Sequence, residues 1–389
     1  MRPWLGVAAI TASLFVFLTT ELMPVGLLTP VSTSLDISVG AAGLMVTLYG
    51  ISAGLGVPFV VAWTRRIDRR VMLTAMLAVL TLGNLVTAIA PSYPLVLVTR
   101  LVMGFANGAF WAVGVSMAMR LVPAHLAGRA AAVVMSGISI ATVAGIPLGT
   151  FVESVTGWRT TFGVWSGLSA VVLLLVAVLV PSLPSENAVP VREVFRLPVD
   201  NAALRRVMAV VVLFVLGHFG AYTFVRPFLE GGSAAGPTFV MVLLMIYGIG
   251  GAVGNLLAGF TVARHARATF VVAGAGLVAM LVLLLAAGGN PVVVIAAMAL
   301  WGVSFGALQL SQLTMTQTAA PDTFEAAMSL NTLAYNTSIA LGAFIGGLFA
   351  DQLGVPSVFW YGMALVAASL MVVARAGTRT VTPPATINV

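Results

Sequence analysis

Apolar and polar positions alternate in long blocks along this chain. A helix needs roughly 20 mostly apolar residues to cross the hydrocarbon core of a bilayer, and twelve runs of about that length recur between short polar segments. The pattern therefore predicts an all-α integral membrane protein with twelve transmembrane helices. The runs cover residues 4–28, 41–63, 71–90, 94–119, 130–152, 160–181, 207–229, 238–263, 269–287, 291–316, 326–349 and 356–374.

Composition agrees with the apolar blocks. Hydrophobic residues make up 60% of the 389 positions and charged residues only 7%, a balance far from that of a soluble domain. The first run exceeds the roughly 7 to 15 apolar residues of a signal peptide and has no persuasive cleavage site. We therefore expect it to remain as the first span.

The charged residues exclude several classes of protein. All eighteen basic residues are arginine, and the chain has no lysine and no cysteine. A Walker A nucleotide site needs a lysine, and a cysteine metal site needs thiolates. We expect no cofactor and no metal, and the proton gradient as the energy source. The net charge of +7 comes from arginines in short loops, so we expect no nucleic-acid partner.

The distribution of arginines predicts the topology. Fifteen of them fall in the two terminal segments, in the loops after spans two, four and eight, and in the polar stretch at residues 182–206. Of the other three, Arg159 and Arg226 lie at the other side of the predicted membrane, at the ends of spans, and Arg100 lies inside a span. Because cytoplasmic loops carry the excess of arginine, we expect a multi-pass protein of the cytoplasmic membrane with both termini in the cytoplasm.

An internal repeat divides the chain. At an offset of 198 residues, Tyr49-Gly-Ile matches Tyr247-Gly-Ile, and the match continues without a gap to the pair Glu153 and Asp351. Parallel repeats of six spans with a site at their interface are a known transporter arrangement. We expect two pseudo-symmetric six-helix halves, residues 1–181 and 207–389, joined by a cytoplasmic linker at residues 182–206.

Three motifs resemble those of the major facilitator superfamily. The loop after span two is similar to the pattern G-x-L-A-D-R-x-G-R-R-x-x-L, although Arg65 replaces the family aspartate and Asp68 the second glycine. Span four contains an arginine followed by glycines at four-residue spacing, and span five resembles the antiporter motif. The residues that fit or depart from these motifs are Arg65, Arg66, Asp68, Arg69, Arg70 and Leu73; Arg100, Gly104 and Gly108; and Gly145, Pro147 and Gly149.

Further positions narrow the resemblance. Thr19-Thr-Glu21 in span one, Phe110-Trp111 in span four and Gly157-Trp-Arg after span five are similar to the sugar-efflux and chloramphenicol-efflux branch of the drug:proton antiporters. The resemblance implies the major facilitator fold and proton-coupled efflux of a small molecule by alternating access. The expected partners are therefore a small substrate, protons and the lipid bilayer, and we expect a monomer.

Two ionisable residues lie well inside spans. Counted at 1.5 Å per residue, Glu21 and Arg100 lie about 12 Å and about 9 Å from the outer ends of spans one and four, so their depths are similar. Intramembrane charges are costly and usually functional. One interpretation is that Glu21 exchanges a proton against substrate while Arg100 biases that exchange or binds substrate. The alternative is a static ion pair that aligns two helices.

Other polar and aromatic residues are candidates for the transport site. His218 lies in span seven and is a further candidate for proton coupling, because histidine titrates near neutral pH; a neutral histidine bonded between helices is the alternative. Helix faces with polar and aromatic side chains suit a ligand that has both polar and apolar parts. Interhelical hydrogen bonding explains each of these residues equally well. The candidates for the substrate cavity are Asn107, Trp111, Tyr222, Gln309, Asn331 and Tyr335.

The loop and span-five motifs are candidates for gating. Arg65, Arg66, Arg69 and Arg70 could hold one conformation closed, with Asp68 supplying the acidic contact, or could serve topology alone. Gly145, Pro147 and Gly149 allow close packing and a bend in span five.

Three other functions compete with proton-coupled efflux. Uptake or facilitated diffusion of a sugar or nucleoside remains open, because the motifs do not fix direction. A membrane enzyme is disfavoured, since the three histidines are scattered and no H-E-x-x-H motif occurs. A signalling receptor would need a soluble output domain, which the pattern does not predict.

Overall fold

The computed structural model describes residues 2–63, 67–184, 191–232 and 236–375, and nearly all of them are helical. Within these residues, twelve helices are long and apolar enough to cross a membrane. The twelve-span prediction is therefore confirmed. Arg65 and Arg66 of the loop motif lie outside the described residues.

The first six spans form the N-terminal half. Span one ends in a 3₁₀ turn and a short helix, and span five is divided by a π-helical turn. The helices are Arg2–Leu22, Met23–Gly26 and Leu28–Leu35 in span one; Val39–Trp63, Arg69–Ile89 and Tyr93–Arg120 in spans two to four; Ala127–Ile140, Ala141–Gly145 and Ile146–Thr156 in span five; and Trp158–Leu179 in span six.

The last six spans form the C-terminal half, which follows a short helix, Val191–Asp200, in the linker. Span seven is also followed by a short helix. The helices are Ala202–Thr223 and Val225–Gly232 in span seven, then Pro237–Gly259, Val262–Ala287, Pro291–Ala319, Phe324–Leu353 and Val355–Arg375 in spans eight to twelve. We call the end of the molecule that carries the linker the linker end, and the opposite end the far end.

Prolines explain the changes of helix type in spans one and five. Pro147 has no N–H, and its ring clashes with the carbonyl four residues earlier. The π-helical turn Ala141–Gly145 widens the backbone just before it. In span one, Pro24 lies inside the 3₁₀ turn that follows the α-helix. Both prolines thus end an α-helical segment inside the membrane.

The two halves repeat the same internal packing. A Cβ atom added to Gly108 of span four would lie 2.0 Å from the carbonyl oxygen of Ala53, and one added to Gly306 of span ten would lie 2.0 Å from that of Gly251. Both contacts are related by the offset of 198 residues. Small residues allow this close approach of helix backbones. The fold thus has two pseudo-symmetric halves, whereas the exact boundaries at residues 181 and 207 remain a prediction.

Several span boundaries differ from the prediction by a few residues, most of all the start of span nine. Span seven begins at Ala202 and not at residue 207, so Arg205 and Arg206 of the predicted linker lie in its first turns. Span nine begins at Val262 and not near residue 269, so Arg264 and Arg267 belong to its first turns and not to a loop. The helix is kinked at His265, whose backbone angles are φ −135° and ψ 40°. Arg264 and Arg267 still lie at the linker end. The count of fifteen arginines on the predicted cytoplasmic side is therefore unchanged.

The halves meet closely at the far end and in the membrane centre. Gly43 of span two lies against Phe224 of the C-terminal half, and Gly248 of span eight packs on Thr142 of span five. Towards the linker end, Gly137 of span five instead packs on Thr11 of its own half. The conformation is therefore closed at the far end.

Candidate functional site

Glu21 occupies the last turn of the first helix, where span one borders the other half. Its side chain is buried, with 4% exposure. One carboxylate oxygen accepts a hydrogen bond of 2.9 Å from the side-chain amide of Asn107 in span four. The structure thus brings together two residues that the sequence assigned to proton coupling and to the substrate cavity.

Arg100 reaches span one through the backbone and not through the Glu21 carboxylate. Its guanidinium donates a 2.9 Å hydrogen bond to the carbonyl of Thr20. That carbonyl has no helical donor, because the residue four positions later is Pro24, which lacks an N–H. Among the residues that the structure describes, Arg100 and Glu21 form no ion pair. The static ion pair considered from the sequence is therefore absent from this conformation.

The surroundings of Arg100 are aromatic. The guanidinium carbon lies 4.6 Å from the ring centre of Phe162 and 5.9 Å from that of Tyr49, distances at which ring quadrupoles attract a cation. Two of its nitrogens, Nε and Nη2, have no hydrogen-bond partner within the described chain. The N–H groups on these two nitrogens of Arg100 are therefore available for further hydrogen bonds beside span one.

Asn84 of span three completes this polar region and was missed from the sequence. Its amide donates to the hydroxyl of Thr20 at 3.2 Å. The side-chain oxygens of Asn84, Asn107 and Thr19 are buried acceptors without a partner in the described residues. An amide in the middle of an apolar span was the signal that could have identified Asn84.

His218 lies in an aromatic cluster inside the C-terminal half. Its Nδ1 accepts from the indole N–H of Trp301 at 3.2 Å, and its Nε2 lies 3.2 Å from the hydroxyl of Tyr247. The ring stacks on Phe305 at 4.1 Å and on Tyr222 at 5.6 Å. These contacts fit the alternative interpretation of a neutral histidine bonded between helices.

The candidates for the substrate cavity fall into two groups. Trp111, Gln309 and Tyr335 are partly exposed, and the Tyr335 hydroxyl donates to Gln309 at 2.8 Å. Tyr335 also lies within electrostatic range of Glu21 across the interface of the halves. These three side chains are therefore not fully enclosed by protein in this conformation.

The second group is enclosed. Asn331 is buried and donates to Gln312 at 2.8 Å and to Thr316 at 3.0 Å. These bonds join spans ten and eleven and fit the alternative interpretation, in which this residue serves interhelical hydrogen bonding. Tyr222 is buried against Tyr247, with ring centres 4.5 Å apart. Neither side chain reaches the space between the halves in this conformation.

Equivalent positions of the two halves carry different chemistry. The offset of 198 residues pairs Glu21 with Phe219 and Asn107 with Phe305. Phe219 and Phe305 contact each other edge to face, with ring centres 6.0 Å apart, where the first half has the hydrogen bond between carboxylate and amide. At these equivalent positions the N-terminal half therefore has a hydrogen-bonded carboxylate, and the C-terminal half has a pair of aromatic rings.

The described part of the loop motif contacts the start of the linker. Asp68 caps the following helix by accepting from the N–H groups of Arg70 and Val71, and it also accepts from the Ser182 hydroxyl. The Ser182 hydrogen bond, together with the two N–H groups, lowers the pKa of Asp68 below its usual value. Asp68 thus binds the linker of its own half.

The neighbouring arginines, Arg69 and Arg70, also contact the linker or their own half. The backbone N–H of Arg69 donates to Leu183, and the Arg70 side chain donates to the carbonyl of Ala177. Their gating role remains a prediction.

The span-five motif packs on span one. A Cβ on Gly145 would lie 2.2 Å from the hydroxyl of Thr19, and one on Gly149 would lie 2.9 Å from Met23. Pro147, between them, starts the second helix of span five. These residues hold span five against the turn that carries Glu21.

Charged contacts join the halves at the far end. Arg226 of the C-terminal half forms an ion pair of 2.7 Å with Glu153 of span five. Asp351 of span eleven accepts from the Ser38 hydroxyl at 2.6 Å and from the Gly40 N–H at 2.8 Å. Sequence reasoning had paired Glu153 with Asp351 by the repeat, but it assigned no function to either.

The described residues contain no group of three or more histidine, cysteine, aspartate or glutamate side chains that could hold a metal ion.

Comparisons with known proteins agree with this architecture. The chain is 30% identical over 353 residues to a probable sugar efflux transporter from Helicobacter pylori, covering 91% of this chain and 90% of that protein. Two solved transporters share the fold at 13% identity. The nucleoside transporter NupG has a TM-score of 0.76, with 95% of this chain and 98% of NupG covered. The xylose transporter XylE from E. coli has a TM-score of 0.75, with 96% and 97% covered.

The profile of the Major Facilitator Superfamily matches residues 8–342, most of the chain. Members of that family are multi-pass membrane transporters of small molecules, not enzymes, and this agrees with the twelve spans. This chain belongs to the major facilitator superfamily.

Proposed function

We propose that this protein is a proton-coupled antiporter that exports a small molecule by alternating access, with Glu21 as the proton-carrying group. The observation that carries the proposal is the buried Glu21 carboxylate at the interface of the halves. It accepts a hydrogen bond from Asn107, and no cation pairs with it among the described residues. Buried carboxylates without a cationic partner are costly when ionised, so proton occupancy at Glu21 depends strongly on its surroundings.

This dependence is what coupling requires. A ligand shifts a two-state equilibrium only through different affinities for the two states. When the halves rock, the face of span one that carries Glu21 is exposed to a different environment. Arg100 binds the carbonyl of Thr20, and its Nε and Nη2 have no partner among the described residues. It is therefore positioned to stabilise the ionised carboxylate if span one shifts. Protonation and deprotonation then accompany opposite conformations.

The proposed substrate is a sugar or a drug with polar and apolar faces. The partly exposed side chains of Trp111 and Tyr335 supply aromatic surfaces, and Gln309, which accepts from Tyr335, supplies an amide. The name of the Helicobacter pylori relative, a probable sugar efflux transporter, favours a sugar. We propose that the linker end faces the cytoplasm, from the arginine distribution, and that the loop motif gates this end.

The experiment is an accumulation assay in cells and in proteoliposomes with a panel of sugars and antibiotics, with and without a proton uncoupler. Glu21→Gln keeps the size and hydrogen bonding of the side chain but cannot titrate. We expect this variant to insert normally and to lose uphill transport. Asp322→Asn, which removes an exposed carboxylate between spans ten and eleven, is the matched control and should transport at the parent rate.

The assay also separates the alternatives. Uncoupler-sensitive uphill transport by Glu21→Gln would contradict the assignment of Glu21. Transport by the parent that only equilibrates a sugar or nucleoside, whatever the proton gradient, would contradict antiport and leave facilitated diffusion.

A further inference from the structure

A backbone carbonyl of span one lacks its helical partner at the far end. In an α-helix each carbonyl accepts from the N–H four residues later. Gly26, which follows Glu21 by five positions, is the last residue of the 3₁₀ turn and precedes Leu27, the N-cap of the helix Leu28–Leu35, so its carbonyl lies outside both α-helices. The carbonyl of Thr20, which Arg100 binds, lacks its α-helical donor because the residue four positions later is Pro24. Span one therefore has two carbonyls without an α-helical donor, one on each side of Glu21.

Arg226 from the other half binds the second of these carbonyls. Its Nη1 donates to the carbonyl of Gly26 and to Glu153, the latter at 2.7 Å. Its Nε donates to Glu230 of its own helix at 2.7 Å. Arg226 is only 3% exposed. One buried guanidinium thus joins span seven to spans one and five across the far-end interface.

The surroundings make Gly26 a junction of three spans. The Gly26 position lies against Thr150 of span five and Leu244 of span eight. The 3₁₀ turn that connects it with Glu21 is buried throughout. A displacement of Gly26 is therefore transmitted to the turn that carries the carboxylate.

We propose that Arg226 is a positioning residue that links closure of the far end to the conformation of span one beside Glu21. While the far end is closed, Arg226 and Arg100 hold the carbonyls of Gly26 and Thr20, and they fix the segment between them. When the halves separate at the far end, Arg226 leaves Gly26, and only Arg100 remains. Because linkage is reciprocal, a change at Glu21 alters the stability of the far-end contact. This linkage rests on the proposed proton coupling.

The closure itself can be tested without transport. The chain has no native cysteine, so spin labels can be attached at Ser92→Cys and Gly289→Cys. These exposed residues lie in far-end loops, one in each half. Double electron–electron resonance in nanodiscs then reports the distance across the far end and the fraction of molecules in which that end is open.

Three variants separate the contacts. Arg226→Gln removes both contacts across the interface, and we expect the open fraction to rise about tenfold or more, since hydrogen bonds of charged groups are the strong ones. Glu153→Gln removes the charge of the ion pair with Arg226 and leaves the Gly26 carbonyl in place. We expect a smaller rise in the same direction. Glu230→Gln alters only the contact within the C-terminal half, and its distances should match those of the parent.

Parent-like distances in both Arg226→Gln and Glu153→Gln would overturn the proposal. An equal opening in Glu230→Gln would also overturn it, because the effect would then belong to the ion pair within one helix. The measurement needs neither substrate nor proton gradient. If Glu21 proves unnecessary for coupling while these distances change as expected, the proposed function fails and the far-end role of Arg226 stands.

Discussion

The repeated glycine contacts allow a quantitative test of the fold beneath the site. Gly108 and Gly306 occupy equivalent places, and a Cβ on either would lie 2.0 Å from a backbone carbonyl oxygen. Real Cβ atoms essentially never lie within 3.0 Å of another heavy atom. The two helices must therefore separate by about 1 Å to accept the added methyl group. A backbone atom cannot rotate away as a side chain can. We therefore expect each alanine substitution to destabilise by about 1–3 kcal/mol, the usual cost of overpacking.

Thermal unfolding of the purified protein in detergent measures this effect. Gly108→Ala and Gly306→Ala should each lower the melting temperature by several degrees, and to a similar extent. Gly167→Ala is the matched control, because a Cβ there meets no atom within 4 Å, and alanine favours the helix by about 1 kcal/mol. It should unfold at or slightly above the parent temperature. Parent-like melting of both tight-site variants would refute the close packing and with it the equivalence of the halves.

Two further predictions concern the aromatic cluster and the linker. His218→Phe should lower thermal stability, because an indole N–H loses its buried acceptor at a cost of about 1–3 kcal/mol, yet keep uncoupler-sensitive accumulation; selective loss of accumulation in a stable variant would contradict the structural role. Asp68 has a lowered pKa, so its contact with Ser182 stabilises the linker above the usual aspartate pKa and is lost as pH falls through the lowered value. Limited proteolysis of the linker at neutral pH should be faster in Asp68→Asn, and equal rates would contradict the contact.

The sequence determined the architecture because its signals are local. Run length predicts each span by itself, since twenty apolar residues have few other environments. The offset of 198 residues predicted the equivalence of the halves before any contact was known. Even the missing α-helical donor of the Thr20 carbonyl follows from sequence, because Pro24, four positions later, has no N–H.

Tertiary structure alone decided which side chains meet. Counting residues gave Glu21 and Arg100 similar depths, but depth does not fix the rotation of a helix about its axis. The packing of span one on span four turns the carboxylate towards Asn107 and leaves Arg100 facing the Thr20 carbonyl. The contact of Arg226 with Gly26 spans 200 positions and depends on how the halves rest against each other. The sequence thus determined where spans, charges and missing donors lie, and the three-dimensional packing determined their partners, because partner choice depends on helix rotation and on the docking of the halves.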